Sequence, residues 1–297
     1  TYHCWKKKGH GVVNLKKAMK ESCDTYFYEI ARKLGVDRLK KTATKFGLGE
    51  KVLQETFSNE KKGLIPNTQW KKDNLGKGWV IGETLITGIG QGYMQTTPLQ
   101  LCLMTAQLAN GGYKIYPKII VNENDETYEE TKAFITKNYN INKELKDGLV
   151  ESSEGLFSFI KDKKHEALYK NIENIKIIQE AMFASTNEVR GTSYASRIED
   201  PKYQFAGKTG TSQVKRITEA QRELDLNTSE IPYDERDHAL YIAFGPYKKP
   251  RYALSIVIEH GGSGSSAAAP LAKKLFKLII DRHELREKVR NKKSVKI

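Results

Sequence analysis

The chain has 297 residues, 38% hydrophobic and 9% aromatic, which is enough apolar material for one large core or two modest ones and too much for a disordered chain. Lys+Arg number 50 against 36 Asp+Glu, a formal charge of +14; such an excess suits anionic surfaces, but the lysines are spread along the chain rather than clustered with aromatics, which argues against nucleic acid. No apolar run reaches about 18 residues, so nothing in the sequence reads as a membrane-spanning helix, and 3 cysteines, an odd number, argue against a disulfide framework.

The chain begins at Thr1 and opens mid-pattern with Cys4-Trp5, so a piece of a longer chain is expected. Cys4, His10 and Cys23 follow with C-x5-H-x12-C spacing. These are three soft ligands of the kind zinc takes, four at a time in closed sites. His3 or an upstream Asp would complete the set, and the metal would brace the loop leading to Ser22. The competing reading makes His10, between Gly9 and Gly11, an ordinary loop residue and leaves the thiols free.

From Thr25 to Leu34, the apolar residues Phe27, Ile30, Ala31 and Leu34 fall on one helical face, closed by Gly35. Ser22 or Asp24 is the expected cap. Gly88-Ile89-Gly90-Gln91-Gly92 reads as a flexible support turn; it has no lysine placed to cradle a phosphate. Thr97-Pro98 starts a helix carrying Leu99, Leu103, Ala106 and Leu108-Ala109, stopped by Asn110-Gly111-Gly112. Cys102 within it reads as a small core residue. Residues 122–175 are polar and lysine-rich and read as a peripheral helical insert. Ile178 to Val189 reads as a helix ended by Arg190-Gly191-Thr192.

The last third changes character. Tyr203–Gly207, His238–Gly245 and Arg251–Ile258 are strand-like, rich in aromatic and β-branched residues. Pro246 to Pro250 links the last two as a hairpin, and Gly261 to Gly264 ends the strand run. Leu271, Leu275, Leu278 and Ile279 then predict a helix stripe laid against a sheet. Lys288 to Ile297 reads as a frayed basic tail. The expected fold class is α+β, an antiparallel sheet flanked by helices, with one domain over residues 1–280 and a tail over 281–297.

Lys208-Thr209-Gly210-Thr211, on Ala206-Gly207, reads as an edge strand. Its glycine lets a ligand backbone come close, as if adding a strand to the edge. Lys208 can hold a carboxylate, Thr209 and Thr211 offer hydroxyls, and the Thr211 N–H can face a developing oxyanion. The plain alternative is a solvated lysine and a bulge glycine. Ser22-Cys23-Asp24 by itself reads as a plain N-cap. Paired with the Lys208 strand it fits two parts of the Ser-x-x-Lys, Ser-x-Asn, Lys-Thr-Gly trio of serine penicillin-recognising enzymes.

Further stretches extend the match in order: Cys4-Trp5-Lys6 with Gly9-His10-Gly11, Gly88 to Tyr93, Thr97-Pro98-Leu99-Gln100-Leu101, Arg236 to Leu240 and Val257 to Gly262. On these residues the chain resembles the transpeptidase domain of class B, monofunctional penicillin-binding proteins of the elongation type. The resemblance implies a membrane-anchored protein facing the periplasm that cross-links peptidoglycan stem peptides in cell-wall elongation. A serine ester would form at a D-Ala-D-Ala end, D-Ala would leave, and a second stem-peptide amine would resolve the ester. β-Lactams would mimic the donor, and a shape and elongation glycosyltransferase would be the partner. No cofactor is needed for acyl transfer.

Carried over residue by residue, Ser22 is implied as the relay hydroxyl and Lys208 as the carboxylate-binding, site-tuning cation. Thr209, Gly210 and Thr211 are implied as the substrate-facing strand, and the Thr211 N–H as half of the oxyanion hole. Asp24 stands where the wider family has Asn. An ionised Asp accepts but does not donate, so it would accept from a substrate amide or orient a neighbour. The nucleophile motif is the second departure. Ser-x-x-Lys occurs at Ser58–Lys61, Ser158–Lys161 and Ser212–Lys215, but all three follow Ser22, whereas the family places its nucleophile first. The nucleophile is therefore expected upstream of Thr1, with this chain inactive alone. The alternatives are a catalytically inactive remnant that binds a partner or, among related enzymes, a β-lactamase or D-Ala-D-Ala carboxypeptidase; no Glu-x-x-x-Asn deacylation signature lies between the motifs. His260 is expected to be structural.

Overall fold

The structure is a computed structural model that describes residues 2–53, 59–117, 166–215 and 226–294, with side chains as far as Leu285. Short helices fill the first part, each started by local chemistry. Asn14 accepts the Lys17 N–H to open α1, Leu15–Lys20, and Asn67 accepts the Trp70 N–H to open α4, Thr68–Leu75. Between them run α2, Asp24–Leu34, and α3, Val36–Lys45, divided by Gly35 at φ 77°. Next come α5, Ile81–Gly88, and α6, Pro98–Ala109, where Thr97 and Gln100 cap each other reciprocally as the Thr97-Pro98 pair predicts.

Three expectations shift here. The cap of α2 is Cys23, without a side-chain bond, rather than Ser22 or Asp24; both of those side chains have partners elsewhere. The next described helix, α7, spans Ile172–Asn187, because Asn171 accepts the Glu173 N–H and opens it well before Ile178. It takes its first residues from the stretch read as an insert, and buries Ile175. Residues 118–165 of that insert lie outside the described residues.

Three strands form one antiparallel sheet in the order β1-β2-β3: Ala206–Ser212, His238–Gly245 and Tyr252–Ile258. Lys208 faces Ile242, Gly210 faces Leu240, and Ala243 faces Leu254, so β2 and β3 are the expected hairpin. The first strand begins at Ala206 rather than Tyr203, whose N–H closes a turn onto the Asp200 carbonyl at 3.0 Å.

Alternation along β2 sends its side chains into two cores. Ala239, Tyr241 and Ala243 pack with Phe205 and the last helix, and Phe244 packs with Leu108, Ile175 and Met182 of α6 and α7. The sheet is thus covered by helices on both faces, the α+β arrangement expected. Buried carboxamides tie loops to this frame: Gln100 donates to the carbonyls of Glu50 and Lys62 at 2.7 and 2.8 Å, and Gln107 donates to that of Phe46 at 2.9 Å.

The last helix, α8, spans Ala269–Ser294, and it corrects two expectations. Its sheet-facing stripe is Ala269, Ala272, Phe276 and Ile280, not Leu271, Leu275, Leu278 and Ile279; the three leucines are exposed, Leu278 at 66%. Both stripes have helical spacing. Alanines let the helix backbone come close to β2 and bring the Phe276 ring onto Phe205, with centroids 4.9 Å apart. Residues 281–294 continue the same helix instead of fraying. Among the described residues, no helix is long and apolar enough to cross a membrane.

Candidate active site

Lys208 rises from the middle of β1, and its ammonium donates to Ser22 Oγ at 2.6 Å and to the Thr209 carbonyl at 2.9 Å. Ser22 lies far away in sequence, in the tight turn between α1 and α2. The turn is fixed by bonds from the Ser22 N–H to the Met19 carbonyl and from the Cys23 N–H to the Ala18 carbonyl. It holds Ser22 at φ 52°, a left-handed conformation that is uncommon for serine. Trp5 closes over the turn: its indole N–H donates to the Ser22 carbonyl at 2.8 Å. Its backbone N–H donates to Asp24 Oδ2 at 2.9 Å. Asp24 thus orients a neighbour, one of the two roles open to it.

Burial pushes the Lys208 ammonium down to about 8, with the Asp24 carboxylate acting in the opposite direction. The Ser22 hydroxyl lies 3.5 Å from Thr192 Oγ1, which is 3.1 Å from both Thr209 Oγ1 and Ser185 Oγ. The result is a continuous chain of proton-carrying groups from Lys208 through Ser22 to Thr192. Sequence reading passed over Thr192, because a threonine just past a helix end carries no distinguishing pattern.

Farther along β1, Thr211 and Ser212 are exposed. Gln91, from the turn after α5, reaches this edge and donates to the Thr211 carbonyl at 2.6 Å. The glycine that is crowded here is Gly264, not Gly210: a Cβ on Gly264 would lie 2.3 Å from the Leu240 carbonyl oxygen and 2.6 Å from that of Gly210. A Cβ on Gly210 meets only Leu240, at 3.3 Å. Gly264 therefore lets the turn before α8 rest directly on the β1–β2 backbone. Ser212 ends β1; Ser58 and Ser158 lie outside the described residues. His260 is structural in its contacts, as expected. Its backbone N–H donates to His238 Nδ1 at 3.0 Å, and its own Nδ1 lies 3.1 Å from the Arg236 carbonyl.

Cys4, His10 and Cys23 come together beside the Ser22 turn, with their ligand atoms all within 4.8 Å of one another. Cys4 Sγ is 3.4 Å from His10 Nδ1. Burial raises the Cys4 thiol above its ordinary value. His10 is buried, and its Nε2 is a buried nitrogen without a hydrogen-bond partner among the described residues. Two thiols and an imidazole are donors that zinc takes, and they supply three of the four positions of a closed site, so the residues fit a zinc ion with one position left for a further group; His3 is not in the cluster.

The family described as Penicillin binding protein transpeptidase domain matches residues 1–277. The protein named Peptidoglycan D,D-transpeptidase MrdA from Salmonella typhimurium is 34% identical over 280 residues, covering 94% of this chain and 40% of that protein. Its namesake from Acinetobacter baumannii is 35% identical over 272 residues, 92% of this chain and 35% of the relative. The chain thus spans about two-fifths of the length of these curated relatives. Among solved structures, penicillin-binding protein PBP2 from Helicobacter pylori, in a complex with MreC, superposes with a TM-score of 0.70 at 29% identity, covering 96% of this chain and 42% of that one. Pseudomonas aeruginosa PBP2 in complex with WCK 5153 gives a TM-score of 0.67 at 31% identity, covering 93% and 51%. The chain belongs to the penicillin-binding protein transpeptidase family, with relatives among the MrdA and PBP2 proteins.

Proposed function

We propose that the chain is the greater part of the acyl-transfer domain of a peptidoglycan D,D-transpeptidase of the elongation type. The observation that carries the reading is the 2.6 Å bond between Lys208 Nζ and Ser22 Oγ, which joins two motifs 186 positions apart at a strand edge. In this reading the donor stem peptide lies along β1. Its terminal carboxylate meets Lys208 and the hydroxyls of Thr209 and Thr211, and its scissile carbonyl faces the Thr211 N–H. A serine ester forms with loss of D-Ala, and Ser22 hands a proton to the departing amine, steadied by Lys208 and Thr192. A second stem-peptide amine then attacks the ester and frees the serine. A β-lactam enters as a donor whose leaving group stays tethered. The acylating serine is not among the groups gathered around Lys208 in this role assignment.

Fluorescent-penicillin labelling of the complete gene product, followed by peptide mapping, tests the reading. The expected label is at a serine of a Ser-x-x-Lys motif preceding Ser22. Labelling at Ser22 itself would make the Ser22–Lys208 pair the nucleophile and overturn the relay role. No labelling at all would favour an inactive, partner-binding remnant.

The reading includes a structural zinc on Cys4, His10 and Cys23. The ion would supply no acyl chemistry; it would deprotonate the thiols and tie residues 4–10 to the Ser22 turn, where Trp5 already binds. Protein purified without chelators is expected to contain about one zinc per chain, and a strong chelator is expected to lower its melting temperature by roughly 5 °C or more. Metal-free protein with an unchanged melting curve would remove the ion from the site.

The partner in this reading is a shape and elongation glycosyltransferase, with the domain on the outer side of the cytoplasmic membrane, held by an anchor elsewhere in the gene product. Two neighbours support an assembly of this kind: the Helicobacter pylori protein solved with MreC, and a peptidoglycan synthase complex at a TM-score of 0.59 and 26% identity.

A further inference from the structure

Gln91 occupies the substrate edge of β1 in a way the proposed reaction does not require. Its Nε2 donates to the Thr211 carbonyl at 2.6 Å, and its Oε1 lies 3.4 Å from the Gln213 N–H. Among the described residues β1 is an edge strand: β2 pairs with one side, and a carbonyl and an N–H two residues apart share the same, opposite side. These are the groups an added strand would bind. A single carboxamide on both reproduces what a passing peptide backbone would offer. The geometry points to Gln91 as an intramolecular stand-in for the substrate backbone, holding the strand edge when the site is empty and swinging away before an acyl donor pairs with Thr211.

The movement asked for is one of the Gln91 side chain, on a turn held by glycine conformations and by the packing of Gly92 on Ile86. Gly90 and Gly92 flank Gln91 at φ 77° and 79°, in the left-handed region. A Cβ on Gly90 meets nothing nearer than Met94 Sδ at 4.0 Å, so that side is open. The root stays fixed, because the Gln91 backbone N–H donates to the Ile86 carbonyl at 3.1 Å at the end of α5. Thr211 and Gln213 are exposed, so a ligand can reach both. Covering an edge strand between turnovers also keeps unrelated strands from pairing there. A ligand then has to offer an N–H good enough to replace that of Gln91, which makes Gln91 a specificity-setting residue for the donor.

The inference rests on the transpeptidase reading. It is tested by stopped-flow acylation of the complete gene product with a fluorescent penicillin, separating the dissociation constant of the first complex from the acylation step. Gln91→Ala removes both contacts. Gln91→Met keeps the length of the side chain without adding a charge, and has no N–H for the Thr211 carbonyl and only a weak sulfur acceptor facing Gln213. Both variants are expected to lower the dissociation constant by about three- to tenfold, the worth of one exposed hydrogen bond, with the acylation step unchanged. An unchanged or weaker first complex in the two variants overturns the gate. A slower acylation step together with weaker binding would mean that Gln91 only braces the strand. If Gln91→Ala does not fold, Gln91→Met decides alone. A wild-type protein that never labels removes the transpeptidase reading and the gate with it, whereas normal labelling with an unchanged dissociation constant removes the gate alone.

Discussion

Lys208→Ala is expected to slow penicillin acylation of the complete gene product by about 100- to 10,000-fold, because the proton-relay hydroxyl of Ser22 is no longer held in place. The loss has two sources. The substrate carboxylate loses its cation, and Ser22 Oγ loses the donor at 2.6 Å that fixes its rotamer. The pH dependence separates them. Desolvation pushes the ammonium down to about 8, so it should be charged below that pH and neutral above it. If its charge anchors the carboxylate, the second-order rate constant, which reports the free protein, falls as the pH rises through about 8. In Lys208→Arg the guanidinium stays charged, so this alkaline fall should disappear, although the overall rate is lower because the fork does not fit the Ser22 turn. A rate that instead climbs through pH 8 would mean that the neutral amine is the working form. Lys208 would then be a base, and the carboxylate would be held by the threonine hydroxyls.

Phe276→Ala should cost about 3–5 kcal/mol of stability in urea unfolding, the usual loss for emptying an aromatic site in a core. The side chain is 0% exposed, stacked on Phe205, and within 3.0 Å of where a Cβ on Gly245 would stand. It ties α8 to one end of the β1–β2 ladder, where Phe205 leads into β1 and Gly245 ends β2, so little can move in to fill the gap. The informative control is Leu278→Ala on the same helix. At 66% exposure, it should stay within about 0.5 kcal/mol of the parent. The reverse ranking would mean that the helix is rotated to put its leucines on the sheet.

That pair of variants also marks a limit of reading sequence. The residues of α8 offer two stripes at helical spacing, one leucine-rich and one alanine-rich, and hydropathy ranks leucine first. The close approach of the helix to β2 selects the alanines, and that distance is set by the sheet rather than by the helix. Similarly, Ser22 looked like a cap for α2. Capping competes with the bond to Lys208, and only the fold brings Lys208 within reach.

What the sequence determined by itself is what short-range chemistry governs: the Thr97-Pro98 helix start, the Gly35 break, the β2–β3 hairpin and the order of motifs that carries the family. Cys4, His10 and Cys23 were also legible, since their separation is short enough for one loop to bring them together. The tertiary structure alone decided the contacts between distant segments. It placed Ser22 against Lys208, inserted Thr192 into their hydroxyl chain, seated Trp5 on Asp24 and laid Gln91 along β1. The motifs already implied that Ser22 and Lys208 share a site, whereas Thr192 and Gln91 carry no such signal; the contacts themselves depend on loop closure and on the packing of two cores against one sheet, which no window along the chain contains.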